Sequence, residues 1–121
     1  MLVFLAAGCG GGPGDQPVVH PVHGTVTLDG APLANAVVHF SPDQGPPSAA
    51  ITDSSGKYEL HEKSGTKGAV AATHTVTIST DLEGSRKKEN EKVPPQYNTK
   101  TTLSVVVKEG DNAQDFPLKS K

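Results

Sequence analysis

Apolar and polar side chains alternate from residue 22 to residue 28. Val22, Gly24, Val26 and Leu28 fall on one parity, and His23, Thr25 and Thr27 on the other. A period of two rich in β-branched residues describes a strand with one buried face. Asp29-Gly30 follows, a pair that tolerates positive φ and local backbone hydrogen bonding, so a tight turn is expected there. Pro32 has no N–H to give a ladder and belongs to the connection. Alternation resumes from Asn35 to Ser41, with Ala36, Val38 and Phe40 facing one way and Val37, His39 and Ser41 the other. This opening hairpin is the unit on which the remainder is expected to pack.

The same pattern recurs downstream. Ala49 to Asp53 is a short candidate strand, and Asp53-Ser54-Ser55-Gly56 a turn with Gly at its end. Between Lys57 and Glu62, Tyr58 and Leu60 point inward while Lys57, Glu59 and His61 point outward. Gly68 to Ala72 leads into a strand carrying His74, Val76 and Ile78 in phase, with His74 expected in the core on a backbone carbonyl. Leu103, Val105 and Val107 share one face of Thr101–Lys108, and Val106 opposes them, which predicts cover on both faces. Glu109 to Asn112 is a turn, and Ala113 to Leu118 is the last strand, with Phe116 and Leu118 in phase. About seven strands separated by turns predict an all-β, seven-stranded antiparallel sandwich occupying residues 20–121.

Residues 81–96 break the pattern. SRKKENEK is nearly all charged and Pro94-Pro95 closes the stretch. A connection of this length reads either as a solvated loop or as an interaction loop displayed at one end of the sandwich, with Arg86, Lys87 and Lys88 as its candidate residues. Lys57 and Lys63 are further surface candidates.

Composition narrows the class. With 34% hydrophobic and 4% aromatic residues and no Trp, the core must be small and aliphatic. Thirteen glycines and ten prolines favour turns over long helices. A formal charge of −2 gives no electrostatic reason to expect nucleic acid as a partner. The single cysteine, Cys9, excludes an internal disulfide framework and a cysteine-based structural zinc site.

Cys9 follows MLVFLAAG, an apolar run ending in small residues like the tail of a secretory signal. L-A-A-G-C resembles the bacterial lipobox. That likeness implies cleavage before Cys9 and a diacylglyceryl group on its thiol. With eight residues before the cysteine and no basic segment, residues 1–8 read as the remnant of a longer signal peptide. Residues 9–19 are a Gly/Pro-rich tether, whose eight residues from Gly10 to Pro17 reach on the order of 15 Å. Gly10 stands where inner-membrane retention signals place aspartate, so the expected location is the outer membrane, cell surface or periplasm.

Four stretches then carry a family resemblance: G-T-V-T-L-D-G-x-P-L-x-x-A-x-V-x-F from Gly24 to Phe40, TDSSGKYEL from Thr52, GAVAATHTVTI from Gly68 and VPPQYNTKTTL from Val93. Together they resemble carboxypeptidase-regulatory-like (transthyretin-like) β-sandwich domains, which are abundant in small lipoproteins of planctomycete-type bacteria. The resemblance implies the transthyretin-like form of the sandwich, with His74 where that family commonly has Tyr. It implies little about activity, because the fold hosts many unrelated roles.

The residues give no catalytic constellation. No serine stands in a G-x-S-x-G elbow, and the one cysteine is the lipidation candidate. Of His20, His23, His39, His61 and His74, three (His23, His39 and His61) sit on polar strand parities and are weak metal candidates without the clustering a metal needs. The Asp53 turn lacks the full acidic spacing of a calcium loop. Hydroxyisourate hydrolase, an enzyme on a transthyretin-like fold, ends Tyr-Arg-Gly-Ser and uses paired histidines with an arginine. This chain ends LKSK and has one arginine, Arg86. The expectation is a non-enzymatic, cofactor-free, lipid-anchored envelope module whose partner is a protein or polymer. The alternatives are a small-ligand or metal-binding lipoprotein and an accessory domain that modulates a separate enzyme.

Overall fold

The structure is a computed structural model that describes residues 18–62, 64–81 and 91–120. Among these residues it is all-β apart from one 3-10 turn, Pro95–Tyr97. The strands in chain order are β1 (Val19–His20), β2 (Val22–Leu28), β3 (Ala31–Pro32), β4 (Val37–Pro42), β5 (Ser48–Ile51) and β6 (Lys57–Glu59). They continue as β7 (His61–Glu62), β8 (Ala69–Val70), β9 (Thr73–Ser79), β10 (Ser104–Val106), β11 (Asn112–Ala113) and β12 (Phe116–Leu118).

Five strands form an antiparallel sheet in the order β10-β9-β4-β5-β7. A second sheet is built around β2. On one side β2 pairs antiparallel with β3 and β6; on the other it pairs parallel with β11 and β12. The short β1–β8 ribbon is a third element. Both large sheets contribute to one core: Val38, Phe40, Val76 and Ile78 from the first, and Val22, Val26, Tyr58 and Phe116 from the second. Aromatic rings join them. Phe40 lies 6.1 Å from Phe116, edge to face, and Phe116 lies 6.0 Å from Tyr58. Such pairs add about 0.5–1.5 kcal/mol beyond area burial.

The alternation in the sequence correctly marks the buried face of β2, β4 and β9. At the first turn Asp29 (φ 54°) and Gly30 (φ 87°) are both left-handed, as a two-residue hairpin loop requires. His74 is fully buried against Phe40, and its Nε2–H donates to the Val70 carbonyl at 2.8 Å.

Five expectations are corrected. The opening hairpin does not form as a pair of 22–28 with 35–41: β2 turns onto the short β3, and β4 crosses to the five-stranded sheet. Pro32 lies in β3 opposite Thr27 rather than in the connection, which an edge position allows because it needs no N–H there. The sandwich is not purely antiparallel: the C-terminal segment runs parallel to β2, a direction that alternation along one strand does not encode. The strands are shorter and more numerous than seven, because turns and kinks at Leu60 and Gln114–Asp115 interrupt the apolar segments. Val106 is 56% exposed rather than covered on both faces, and the strand around it shrinks to Ser104–Val106.

The kink at Gln114–Asp115 shows how the parallel pairing is achieved. Gln114 N–H donates to the His23 carbonyl at 2.8 Å. One residue on, the Asp115 side chain replaces a ladder carbonyl and accepts Thr25 N–H at 2.9 Å. The Tyr58 hydroxyl donates to the Gln114 carbonyl at 2.5 Å. Burial holds that phenol well above its ordinary pKa, with the Asp115 charge adding to the effect, so it is a proton donor at any working pH. Only glycine fits opposite: a Cβ on Gly24 would stand 1.9 Å from the Gln114 oxygen. Gly24→Ala is therefore expected to lower stability by about 2 kcal/mol or more, read as a fall in Tm by thermal denaturation. An unchanged Tm would show that this contact does not hold the C-terminal strand.

Candidate interaction surfaces

Strand register decides which candidate side chains meet. His39 in β4 stands opposite Ala49 in β5, and Ala49 stands opposite His61 in β7. His39 and His61 thus share the outer face of the five-stranded sheet with only a methyl group between them. His23 is on the other sheet, where its Nε2 lies 2.9 Å from Asp111 Oδ2. His20 Nδ1 accepts Gly110 N–H at 3.3 Å. His20 and His23 thereby fasten the Glu109–Asn112 turn onto the start of β2. Asp111 was not legible as a partner, because 88 residues separate it from His23. Among the described residues no three or more His, Cys, Asp or Glu side chains converge as a metal site.

Asp53 is occupied by its own turn. Its Oδ1 accepts Ser55 N–H at 2.8 Å and Lys57 N–H at 2.9 Å. These bonds, from Lys57 first and then Ser55, hold its carboxyl below the ordinary range. Asp29 is lowered similarly, chiefly by the Ser120 hydroxyl at 2.6 Å and then by Ser120 N–H at 3.0 Å. Both carboxylates pin backbone: Asp53 the β5–β6 turn, Asp29 the segment after β12.

Cys9, Lys63, Arg86, Lys87 and Lys88 lie outside the described residues. The stem on either side of the charged stretch is described, and it is firmly tied. Glu91 Oε2 accepts Thr80 N–H at 2.7 Å and the Thr80 hydroxyl at 3.0 Å, and Lys92 N–H donates to Thr80 Oγ1 at 2.7 Å. Asn98 Nδ2 reaches the Ile78, Val93 and Pro94 carbonyls between 3.1 and 3.3 Å. Glu91 sits in a run of like residues, so nothing in the sequence singled it out as the clamp.

The two edges of the five-stranded sheet differ. Beside β7 the chain returns on itself, with a His61–Lys67 bridge and Glu62 N–H donating to Thr66. At β10 the inward bonds belong to Leu103, Val105 and Val107, which leaves the backbone groups of Ser104 and Val106 directed away from β9. Lys100 and Lys108 flank that edge, as lysines commonly do on edge strands.

The outer faces of the two sheets also differ. β2 and β6 carry His23, Lys57 and Glu59 outward, with Lys57 and Glu59 exposed. On the five-stranded sheet the outward positions of β9 are Thr73, Thr75, Thr77 and Ser79, and those of β4 are Val37, His39 and Ser41. β5 adds Ala49 and Ile51, β10 adds Ser104 and Val106, and β7 adds His61. None of these is Asp, Glu, Lys or Arg.

No protein-family model matches this chain, and neither does any curated protein or solved structure.

The two depressed carboxylates set an acid limb. Their stabilisation is complete above the ordinary value of 3.8 and is lost as pH falls through their lower folded-state values. Stability against urea should therefore decline below about pH 4. Replacing Asp29 and Asp53 together by Asn keeps the acceptor oxygens and should flatten that decline. An unaltered slope would assign the acid limb to other groups.

Proposed function

We propose that this chain is a non-catalytic cell-envelope module: a transthyretin-like β-sandwich carried on a Gly/Pro-rich tether from an acylated Cys9, with a structural or adhesive role. The observation that carries the reading is how the buried polar side chains are used. Thr52 donates to the Leu33 carbonyl and accepts Ala36 N–H, Ser48 donates to the Gly68 carbonyl, and His74 donates to Val70. Glu62 accepts both the backbone N–H and the hydroxyl of Ser64. Each of the four fixes backbone, which favours a rigid scaffold over a reactive cleft. Rigid β scaffolds do their work through what they display. This one has a β10 edge that pairs with no further strand among the described residues, a tied stem on either side of residues 82–90 and a sheet face with no charged residue at its outward strand positions. An envelope protein or polymer is the class of partner such surfaces suit, and nucleic acid is not.

The lipoprotein part is tested by intact mass and fractionation of the native protein, expressed with its genomic upstream codons. The expected result is a chain beginning at Cys9, heavier by its acyl chains and recovered with membranes, which Cys9→Ser converts to a soluble form. An unmodified soluble chain that retains Met1 would remove the anchor from the reading.

One observation favours a second reading, a metal-binding lipoprotein: His39 and His61 flank Ala49 on one face. Zinc or copper titration by calorimetry should then give one site per chain that His39→Ala and His61→Ala each abolish and His23→Ala leaves intact. Absence of saturable binding would discard this reading.

A further inference from the structure

We propose that the outer face of the five-stranded sheet is an interface for a second copy of this chain. The inference deepens the interaction-module reading by naming its partner, but it does not require the lipid anchor.

Two properties of the face carry it. The first is charge. Charged residues are 20% of the chain, yet none stands at an outward position within the sheet. Charged groups instead ring its margin: Lys67, 3.5 Å from Glu59, beside β7; Asp43 beyond β4; Lys108 beyond β10; and Glu91, whose carboxylate accepts the Ser79 hydroxyl at the end of β9. A charge-depleted centre within a polar rim is the compositional mark of an interface. A neutral face can also meet its own copy without placing like charges together, which a face carrying Lys57 and Glu59 cannot do as readily.

The second property is the placement of exposed apolar side chains. Of the three large hydrophobic residues that are strongly exposed among the described residues, Ile51 (59%) and Val106 (56%) lie on this face. Val106 is in register with Thr73 at one end of β9, and Ile51, through Val37, is in register with Ser79 at the other. The two residues therefore stand near opposite corners. With strands about 4.8 Å apart and residues about 3.3 Å apart, the face is roughly 20 Å on a side. A two-fold axis in the plane of the face, crossing the Ile51–Val106 diagonal, lays Ile51 of one copy on Val106 of the other, twice. That is the self-complementary arrangement of an isologous dimer. The strands of the two facing sheets then cross at a large angle, toward the orthogonal packing known for sheet pairs. Thr75, Thr77 and Ala49 between those corners are small, and the large side chain among them, His39, is half-buried. Some 400 Å² of plane per copy, about 800 Å² for the pair, lies below the standard class of specific interfaces, so the association is weak and transient.

The test is sedimentation equilibrium of the full 121-residue chain carrying Cys9→Ser, which removes the acylation site and the one thiol together. A dimer that forms between about 10 and 500 µM is expected. Ile51→Glu and Val106→Lys should each weaken it at least tenfold, roughly the effect of one unpaired interface charge. The double variant should recover it, because the two new charges meet across the two-fold. Thr77→Arg at the centre of the face should also abolish it, so misfolding of one variant, seen by circular dichroism, leaves the answer decided. Lys57→Glu, on the other sheet, should change nothing. A chain that stays monomeric at about 1 mM overturns the proposal, as does a dimer indifferent to the face substitutions. A neutral polymer that binds the monomer through the same residues would likewise replace the second copy as occupant. An acylated monomer would keep the anchor and lose this proposal; an unacylated dimer would do the reverse.

Discussion

The contact between Phe40 and Phe116 is the interaction on which the rest of the structure depends. Phe40 lies at the middle of the five-stranded sheet and is wholly buried; Phe116 belongs to the last strand, parallel to β2. With no Trp and only five aromatic side chains, the core has few large groups with which to bridge the gap between sheets. Phe40 fills it, touching His74 on its own sheet and Phe116 on the other, and Phe116 continues to Tyr58. The aliphatic residues pack around that column. A core so economical leaves little surplus stability, and loss of a large buried aromatic costs about 3–5 kcal/mol in general.

Polar side chains supply what the small core does not. Asp29, Asp53, Glu91, Asn98 and Asp115 each accept or donate to backbone at a place where the ladder stops. Those bonds close turns, tie the loop stem and attach the C-terminal strand. They commit these five side chains to architecture. The contrast between the two outer faces gives the search for function a direction. A sheet face open to water usually carries charged residues that keep it monomeric, and the β2–β6 face does so. The five-stranded sheet carries threonine, serine, aliphatic groups and two histidines instead.

Within the sequence, local physics was legible. Alternation in β2, β4 and β9 identified the buried residues, since side chains on a strand take opposite faces in turn. Asp29-Gly30 and Asp53–Gly56 announced turns through their tolerance of positive φ and their side-chain acceptors. His74 announced itself as a core residue by its phase with Val76 and Ile78. Tertiary structure alone decided what depends on the pairing of distant segments. The parallel seating of β12 on β2 rests on Gly24 admitting the Gln114 carbonyl, a contact across 90 residues of chain. Whether His39 shares a face with His61 rather than with His23, and whether Val106 is covered, are likewise matters of register and sheet order. A strand's period states which face is buried but not which neighbour lies beside it, because backbone hydrogen bonds are alike at every position. The uncharged face arose from five separate stretches of chain, each ordinary alone, and it exists only once their register sets them side by side.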